Sequence, residues 1–369
     1  MQNKHPYELD FEQYVRNAEP SKKEKSYAWS TAIGLQQVDG LTPSKYLFDT
    51  ARRSIDGEIT IAEAQSLIDT YYESKTARVD DSEGRTEEAD KVSARIAQIL
   101  SEKSFNFSPS HLIAIHGRLF EGIFACAGKI RDYDISKPEW VLDGDSVIYG
   151  AAFELRAALD YDFDQERKFS YKNLSMDETV RHIAFFVSRI WQIHAFGEGN
   201  TRTTAVFAIK YLRSLGETVD DDSFAENAWY FRNALVRANY TNLQAGIEES
   251  SEFLEKFFRN LLMGERNELK NRLCHIGAES LPVNAETAEK PSEILPANLP
   301  VNKTQRAILA LLLENNRATY DELAEKLGKT RETVRANLRI RRFARRLHEW
   351  KLFDTSLLRL AHPRKKRSD

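Results

Sequence analysis

The chain has 369 residues, 41% hydrophobic and 30% charged, with 53 Lys/Arg against 56 Asp/Glu. This composition fits a globular protein of two or three domains and excludes disordered, collagen-like and disulfide-stapled classes. No apolar run approaches the roughly 20 residues a bilayer-spanning helix needs, and the opening MQNKHPYELDFEQ lacks the apolar core of a signal peptide, so the expected location is the cytoplasm, with no membrane partner. Cys126 and Cys274 are the only cysteines and have no metal-type spacing, which leaves neither a disulfide framework nor a thiolate zinc site.

Residues 1–80 read as a helical appendage. In AWSTAIGLQQVDGLTPSKYLFDTARRSIDGEITIAEAQSLIDTYYESK the pattern predicts three helices: one ending at Gly40, one opened by Pro43 and one capped by Thr60, with Glu63 at capping-box distance. From 81 to 276, stretches such as RTEEADKVSARIAQILSE, SPSHLIAIHGRLFEGIFA and MDETVRHIAFFVSRIWQIHAF repeat apolar residues at three- and four-residue spacing, which predicts a mainly α core domain. One segment breaks the period. KIRDYDISKPEWVLDGDSVIYG carries Pro138, Gly144 and Gly150 among β-formers and predicts a short β-hairpin flap.

Residues 277–301, with Pro282, Pro291, Pro296 and Pro300 and no regular period, read as an interdomain linker. Beyond it, KTQRAILALLLENN and ATYDELAEKLGKTRETVRANLRI predict three helices, with Thr319 and Glu322 spaced as a capping box and a joint at Gly328. This is a helix-turn-helix, winged-helix-like domain over 302–345. From Lys329 to Asp369 there are 14 Lys/Arg against 4 Asp/Glu, a local charge of +10 in a chain whose net charge is -3. Lys329, Arg331, Arg335, Arg339 and the basic tail 346–369 suit salt-dependent contact with DNA phosphates, while three-helix units of this kind also dock proteins.

The stretch IWQIHAFGEGNTRTTAVFAIKYLRSLG carries the chemistry. A helix ends at His194, a loop punctuated by Gly197 and Gly199 follows, and another helix begins at once. A helix N-terminus offers backbone N–H groups and a partial positive charge, glycines let the backbone approach closely, and Arg202 in the first turn can add a charged fork, so the loop suits phosphate. Glu198 offers a carboxylate for Mg²⁺, Asn200 can contact phosphate or ion, and His194 stands where it could take a proton from an attacking hydroxyl.

This stretch resembles the Fic family signature H-x-F-x-(D/E)-G-N-G-R-x-x-R at His194, Phe196, Glu198, Gly199, Asn200 and Arg202, and the likeness extends from about residue 86 to 262. It implies a Fic-type helical bundle in which His194 deprotonates a Tyr, Thr or Ser hydroxyl of a target protein. The hydroxyl attacks the α-phosphate of ATP and expels pyrophosphate. Glu198 would hold Mg²⁺, Gly197, Gly199, Asn200 and Thr201 would line the phosphate nest, Arg202 would steady the leaving phosphates, and Asn239 would touch the nucleotide. The flap would pair with the target's backbone as an added strand. The family's third glycine is Thr201 here and its second arginine is Ala205. Doc-like kinases share such departures, so phosphate transfer is the enzymatic alternative; a DNA-binding regulator with a nucleotide-sensing core is the other.

The N-terminal helices resemble the antitoxin-type module that represses Fic enzymes through (S/T)-x-x-x-E-G. The nearest match is Leu35, Val38, Asp39 and Gly40, with Asp39 and Gly40 as regulatory candidates. In the family the glutamate pairs with the second arginine. Here Asp39 is one methylene shorter and Ala205 cannot form the pair, so the resemblance implies docking with weak inhibition or inhibition through another contact; the alternative is that these helices only cover hydrophobic surface.

Overall fold

The computed structural model describes residues 19–74, 81–219 and 222–278 and, further on, residues 304, 307, 308, 311, 320–331 and 333. The chain divides into two compact units, residues 1–136 with 147–269 and residues 137–146 with 270–369.

In the first unit the helices begin where local chemistry caps them. α1 (Lys22–Gly34) opens on a reciprocal pair, Ser21 hydroxyl accepting the Glu24 N–H and the Glu24 carboxylate accepting the Ser21 N–H. α2 (Lys45–Ile55) is capped by Ser44, one residue after Pro43, and α3 (Ile61–Glu73) by the expected Thr60–Glu63 box. α4 (Asp81–Ser101), α5 (Pro109–Phe120), α6 (Leu155–Lys168) and α7 (Met176–Ile193) follow. They lead to α8 (Asn200–Ser214), α9 (Ser223–Glu226), α10 (Ala228–Arg237) and α11 (Glu252–Met263).

Helix α8 is the axis of this unit. Every residue from Asn200 to Leu212 is buried, and α4, α5, α7 and the 3₁₀ turn Leu35–Asp39 pack around it. Phe105, Phe107, Phe163, Phe186, Phe207 and Tyr211 form one aromatic cluster beside it. Full burial of one such ring contributes about 1.5–3 kcal/mol, so the cluster fixes α8 against its neighbours, and with it the loop that starts the helix.

The N-terminal helices pack on the core within the same unit. α1 lies along α4 and touches α9, and α3 packs on α4. Asp90 of α4, fully buried, accepts the Ser44 N–H at 2.8 Å, the Ser44 hydroxyl, and the Tyr72 hydroxyl at 2.7 Å, tying α2 and α3 to α4. A buried carboxylate with three donors is satisfied without a cation. Gly40 closes the 3₁₀ turn at φ +62°, where a side chain would be strained.

The flap is not a regular hairpin. Among the described residues no strand forms, and the isolated bridge between Asn242 and Ile247 lies elsewhere. The chain reverses through a 3₁₀ turn at Trp140–Leu142 and left-handed Asp143 and Gly144, and the main-chain bonds Glu139 N–H to Asp145 O at 2.9 Å and Gly144 N–H to Glu139 O at 3.1 Å cross the reversal. A ladder fails for two reasons: Pro138 has no N–H to give, and the Lys137 N–H goes to the Ser146 hydroxyl at 3.0 Å instead of to a carbonyl.

The second unit joins this flap tip to residues after 270. The Ile276 N–H donates to Val141 O at 2.9 Å, the Trp140 and His275 rings meet edge to face at 5.0 Å, and α12 (Asn271–Cys274) packs on the turn. Further on, α13 (Tyr320–Leu327) ends at Gly328 with φ +56°, and the Thr330 hydroxyl accepts the Thr333 N–H where the next helix begins. Residues 1–18, the linker from 279, Thr319 and the Glu322 side chain of the expected capping box, Arg335, Arg339 and the tail 346–369 lie outside the described residues.

Candidate active site

His194 ends α7 in the left-handed region, φ +49° and ψ +54°. Glycine is the usual residue there, and a side chain costs about 1–2 kcal/mol, so other contacts must impose the conformation. The His194 N–H donates to Trp191 O at 3.0 Å, and its carbonyl accepts Nε of Arg131 at 2.8 Å. The ring is buried, 4.1 Å from the Tyr149 ring and edge-on to Trp191 at 5.2 Å. Its Nδ1 lies 3.3 Å from Trp191 O. A carbonyl can only accept, so this contact places the proton on Nδ1, and the basic nitrogen of the neutral ring is then Nε2.

The loop after His194 is held from within. The Asn200 amide accepts the Phe196 N–H at 3.0 Å and donates to Phe196 O at 2.7 Å, so its side chain braces the loop and what Asn200 presents to an anion is its main-chain N–H. The Thr201 hydroxyl accepts Nε1 of Trp191 at 3.0 Å, which links the start of α8 to the end of α7. Gly199 is the N-cap of α8 at φ +73°, and a Cβ there would lie 2.3 Å from Phe120. At Gly197 a Cβ would lie 2.5 Å from the Tyr133 hydroxyl. Gly199 is therefore required by the buried Phe120 ring and by its own backbone, whereas the end of the exposed Tyr133 side chain beside Gly197 can turn aside. The Glu198 side chain is exposed, while its carbonyl faces His116 Nε2 at 3.0 Å. Burial pushes His116 down to about 4, so it stays neutral in this contact.

The first three residues of α8 have no carbonyl four residues back within the helix, so their N–H groups form the positive end of its dipole. Arg202 adds a guanidinium, but that group is buried and already surrounded. Its Nε is 2.8 Å from Asp39 Oδ2, an ion pair with the N–H pointed off the line. Its other nitrogens donate to Glu88 at 2.6 Å and to Gln36 at 3.0 Å, and its plane lies over Phe120. Arg232 lies 3.8 Å from the other Asp39 oxygen and donates to Val38 O, while Arg85 donates to the carbonyls of Asp39 and Gly40. The contact made by Asp39 is thus with Arg202. Ala205, one helical turn on, is fully buried.

The structure brings His194, Gly197, Glu198, Gly199, Asn200, Thr201 and Arg202 into one loop and helix start and sets Asp39 against Arg202, while the Gly40 carbonyl accepts from Arg85. The Asn239 amide donates to Leu235 O at 2.8 Å and pairs with Ser188 on α7, the helix that His194 ends. Sequence reasoning missed Arg131, whose buried guanidinium grips the carbonyls of His194, Tyr133 and Gly150 and so joins both roots of the flap to the loop. It also missed His116, Gln36 and Glu88. No local signal marks these residues, since each reaches the loop from another element.

Residues 106–212 match the model of the Fic/DOC family, and residues 301–340 that of winged helix-turn-helix DNA-binding modules. Neither the curated proteins nor the solved structures give a match to this chain.

Proposed function

Because the chain carries a Fic/DOC domain, with the general transferase role of that family, and a winged helix-turn-helix module, we propose that it is a protein adenylyltransferase. It moves AMP from ATP to a Ser, Thr or Tyr hydroxyl of a target protein and releases pyrophosphate. The observation that carries this reading is the 3.3 Å contact of His194 Nδ1 with Trp191 O: a carbonyl only accepts, so the proton belongs on Nδ1 and Nε2 is the basic nitrogen beside the glycine loop.

In the proposed step Nε2 takes the hydroxyl proton as the oxygen bonds to the α-phosphorus and the bond to the pyrophosphate oxygen breaks. The N–H groups of Gly199, Asn200 and Thr201 and the dipole of α8 stabilise charge on the phosphate oxygens. Among the described residues no cluster of three or more His, Cys, Asp or Glu could hold a metal by itself. A single exposed carboxylate, Glu198, beside the helix N-terminus fits Mg²⁺, which takes few protein ligands when phosphates supply the rest. When bound, the ion would neutralise phosphate charge. The winged helix-turn-helix suits DNA contact.

Intact-mass spectrometry after incubation with ATP and Mg²⁺, on the purified protein and on a lysate, tests the proposal against His194→Asn, since asparagine tolerates the left-handed conformation. A gain of one AMP mass, lowered about 10²–10⁴-fold in rate by the substitution, is expected. Gain of one phosphate would move the assignment to a kinase. No gain with wild type would leave a nucleotide-sensing regulator.

A further inference from the structure

Glu198 C=O and Gly199 N–H belong to one trans peptide, so they point in opposite directions from a common plane. His116 acts on that plane. Its Nδ1 accepts the Gly128 N–H at 2.9 Å, which leaves the proton of the neutral ring on Nε2, 3.0 Å from Glu198 O, where it donates. The ring cannot turn away: it is fully buried, stacked on Phe196 at 3.8 Å and 6°, and 4.9 Å from Phe120. The Gly128 backbone reaches it because Gly117 and Gly128 lie back to back, where a Cβ on Gly128 would stand 3.2 Å from Gly117 Cα.

We infer that His116 is a positioning residue for the phosphate site: by holding the Glu198 carbonyl on one side of the peptide plane it aims the Gly199 N–H to the other, toward the N-terminus of α8. The inference rests on the nucleotide reading above and deepens it. Gly199 has φ +73° and no side chain to restrict it, so this peptide needs an outside contact to fix its rotation. The Phe196 peptides are braced by Asn200, whereas this one is held by a residue from a different helix. His116 acts through the loop and touches no substrate.

Two substitutions separate the role from simple packing. His116→Gln keeps an amide N–H at about the reach of Nε2 and gives up the acceptor for Gly128. His116→Asn keeps an acceptor at the Nδ1 position and gives up the donor to Glu198. Each loses one bond, so their melting temperatures should be similar, and the donor is what differs. ATP affinity in the presence of Mg²⁺ is measured by calorimetry on the full chain. We expect His116→Gln to bind within about threefold of wild type and His116→Asn about tenfold more weakly, the equivalent of one aimed hydrogen bond. Equal affinities in the two variants, or affinities that follow melting temperature, would overturn the inference and leave the nucleotide reading intact. Failure of the wild type to bind ATP would overturn both.

Discussion

Asp39→Asn is the most informative single change. Arg202 is the cation best placed to meet phosphates at the start of α8, yet its guanidinium is held by Asp39, Glu88 and Gln36. A phosphate entering beside it must approach two carboxylates. For one carboxylate roughly 6 Å from a phosphate charge, at an effective dielectric of about 20, the repulsion is about 3 kcal/mol. The Asp39 side chain is 33% exposed, and solvent screening cuts that to about 1.5 kcal/mol, near tenfold in affinity. Asparagine keeps the shape and removes the charge. The cost to the fold is small, about 1 kcal/mol, because the two terminal nitrogens keep Gln36 and Glu88 and the Nε proton already lies off the line to Asp39.

The expected outcome is therefore about tenfold tighter ATP binding by Asp39→Asn, measured by calorimetry with Mg²⁺, with a melting temperature lowered by a few degrees and faster AMP transfer by intact mass. Glu88→Gln should act in the same direction, and the two together should fall short of additivity because both changes act on one guanidinium. If Asp39→Asn binds ATP more weakly while its melting temperature holds, Asp39 orients Arg202 toward phosphate instead of competing with it, and the reasoning fails.

Other outcomes follow from the same geometry. Gly199→Ala places a Cβ 2.3 Å from the Phe120 ring at φ +73° and should cost about 2–4 kcal/mol in chemical denaturation, with loss of transfer; smaller losses would mean that the Phe120 ring can move aside. Lys210, buried in α8, donates to the carbonyls of Ile99 and Glu102, and burial pushes it down to about 8. The folded protein sheds this proton before the unfolded chain does, so wild-type stability should rise with pH between about 8 and the ordinary lysine value near 10.5. Lys210→Met should remove that slope between pH 7.5 and 9.5 in urea titrations; an unchanged slope would assign it to other groups.

The helices were legible because their signals are local. Thr60 and Glu63 are three residues apart and bond each other, and the apolar period of α7 matches the face it buries. Even the misplaced start of α2 is a matter of one residue, with Ser44 providing the cap in place of Pro43. The flap was less legible. Its β-forming residues and turn glycines are those of a hairpin, but whether a ladder closes depends on which N–H groups find carbonyls, and here Pro138 and the Ser146 hydroxyl interrupt the pairing. The sequence marks the N-terminal helices as an appendage that docks on the core but not the residues that dock them. Asp90, Ser44 and Tyr72 join them through side chains far apart in the chain.

The site divides in the same way. His194 to Arg202 form one contiguous run, so residue types and order expose them. The groups that hold them in place, His116, Arg131, Glu88 and Gln36, approach from separate elements and carry no spacing that could betray them. The altered acidic motif shows why a missing partner in sequence does not imply a missing contact. With Ala205 in place of arginine, a sequence comparison expects the acidic residue to lose its pair. Yet Arg202 stands three positions earlier on α8, one turn back on nearly the same face, and its long side chain reaches Asp39 at 2.8 Å. The ion pair persists one turn closer to the helix N-terminus, and there the carboxylate faces the end of the helix that attracts phosphate.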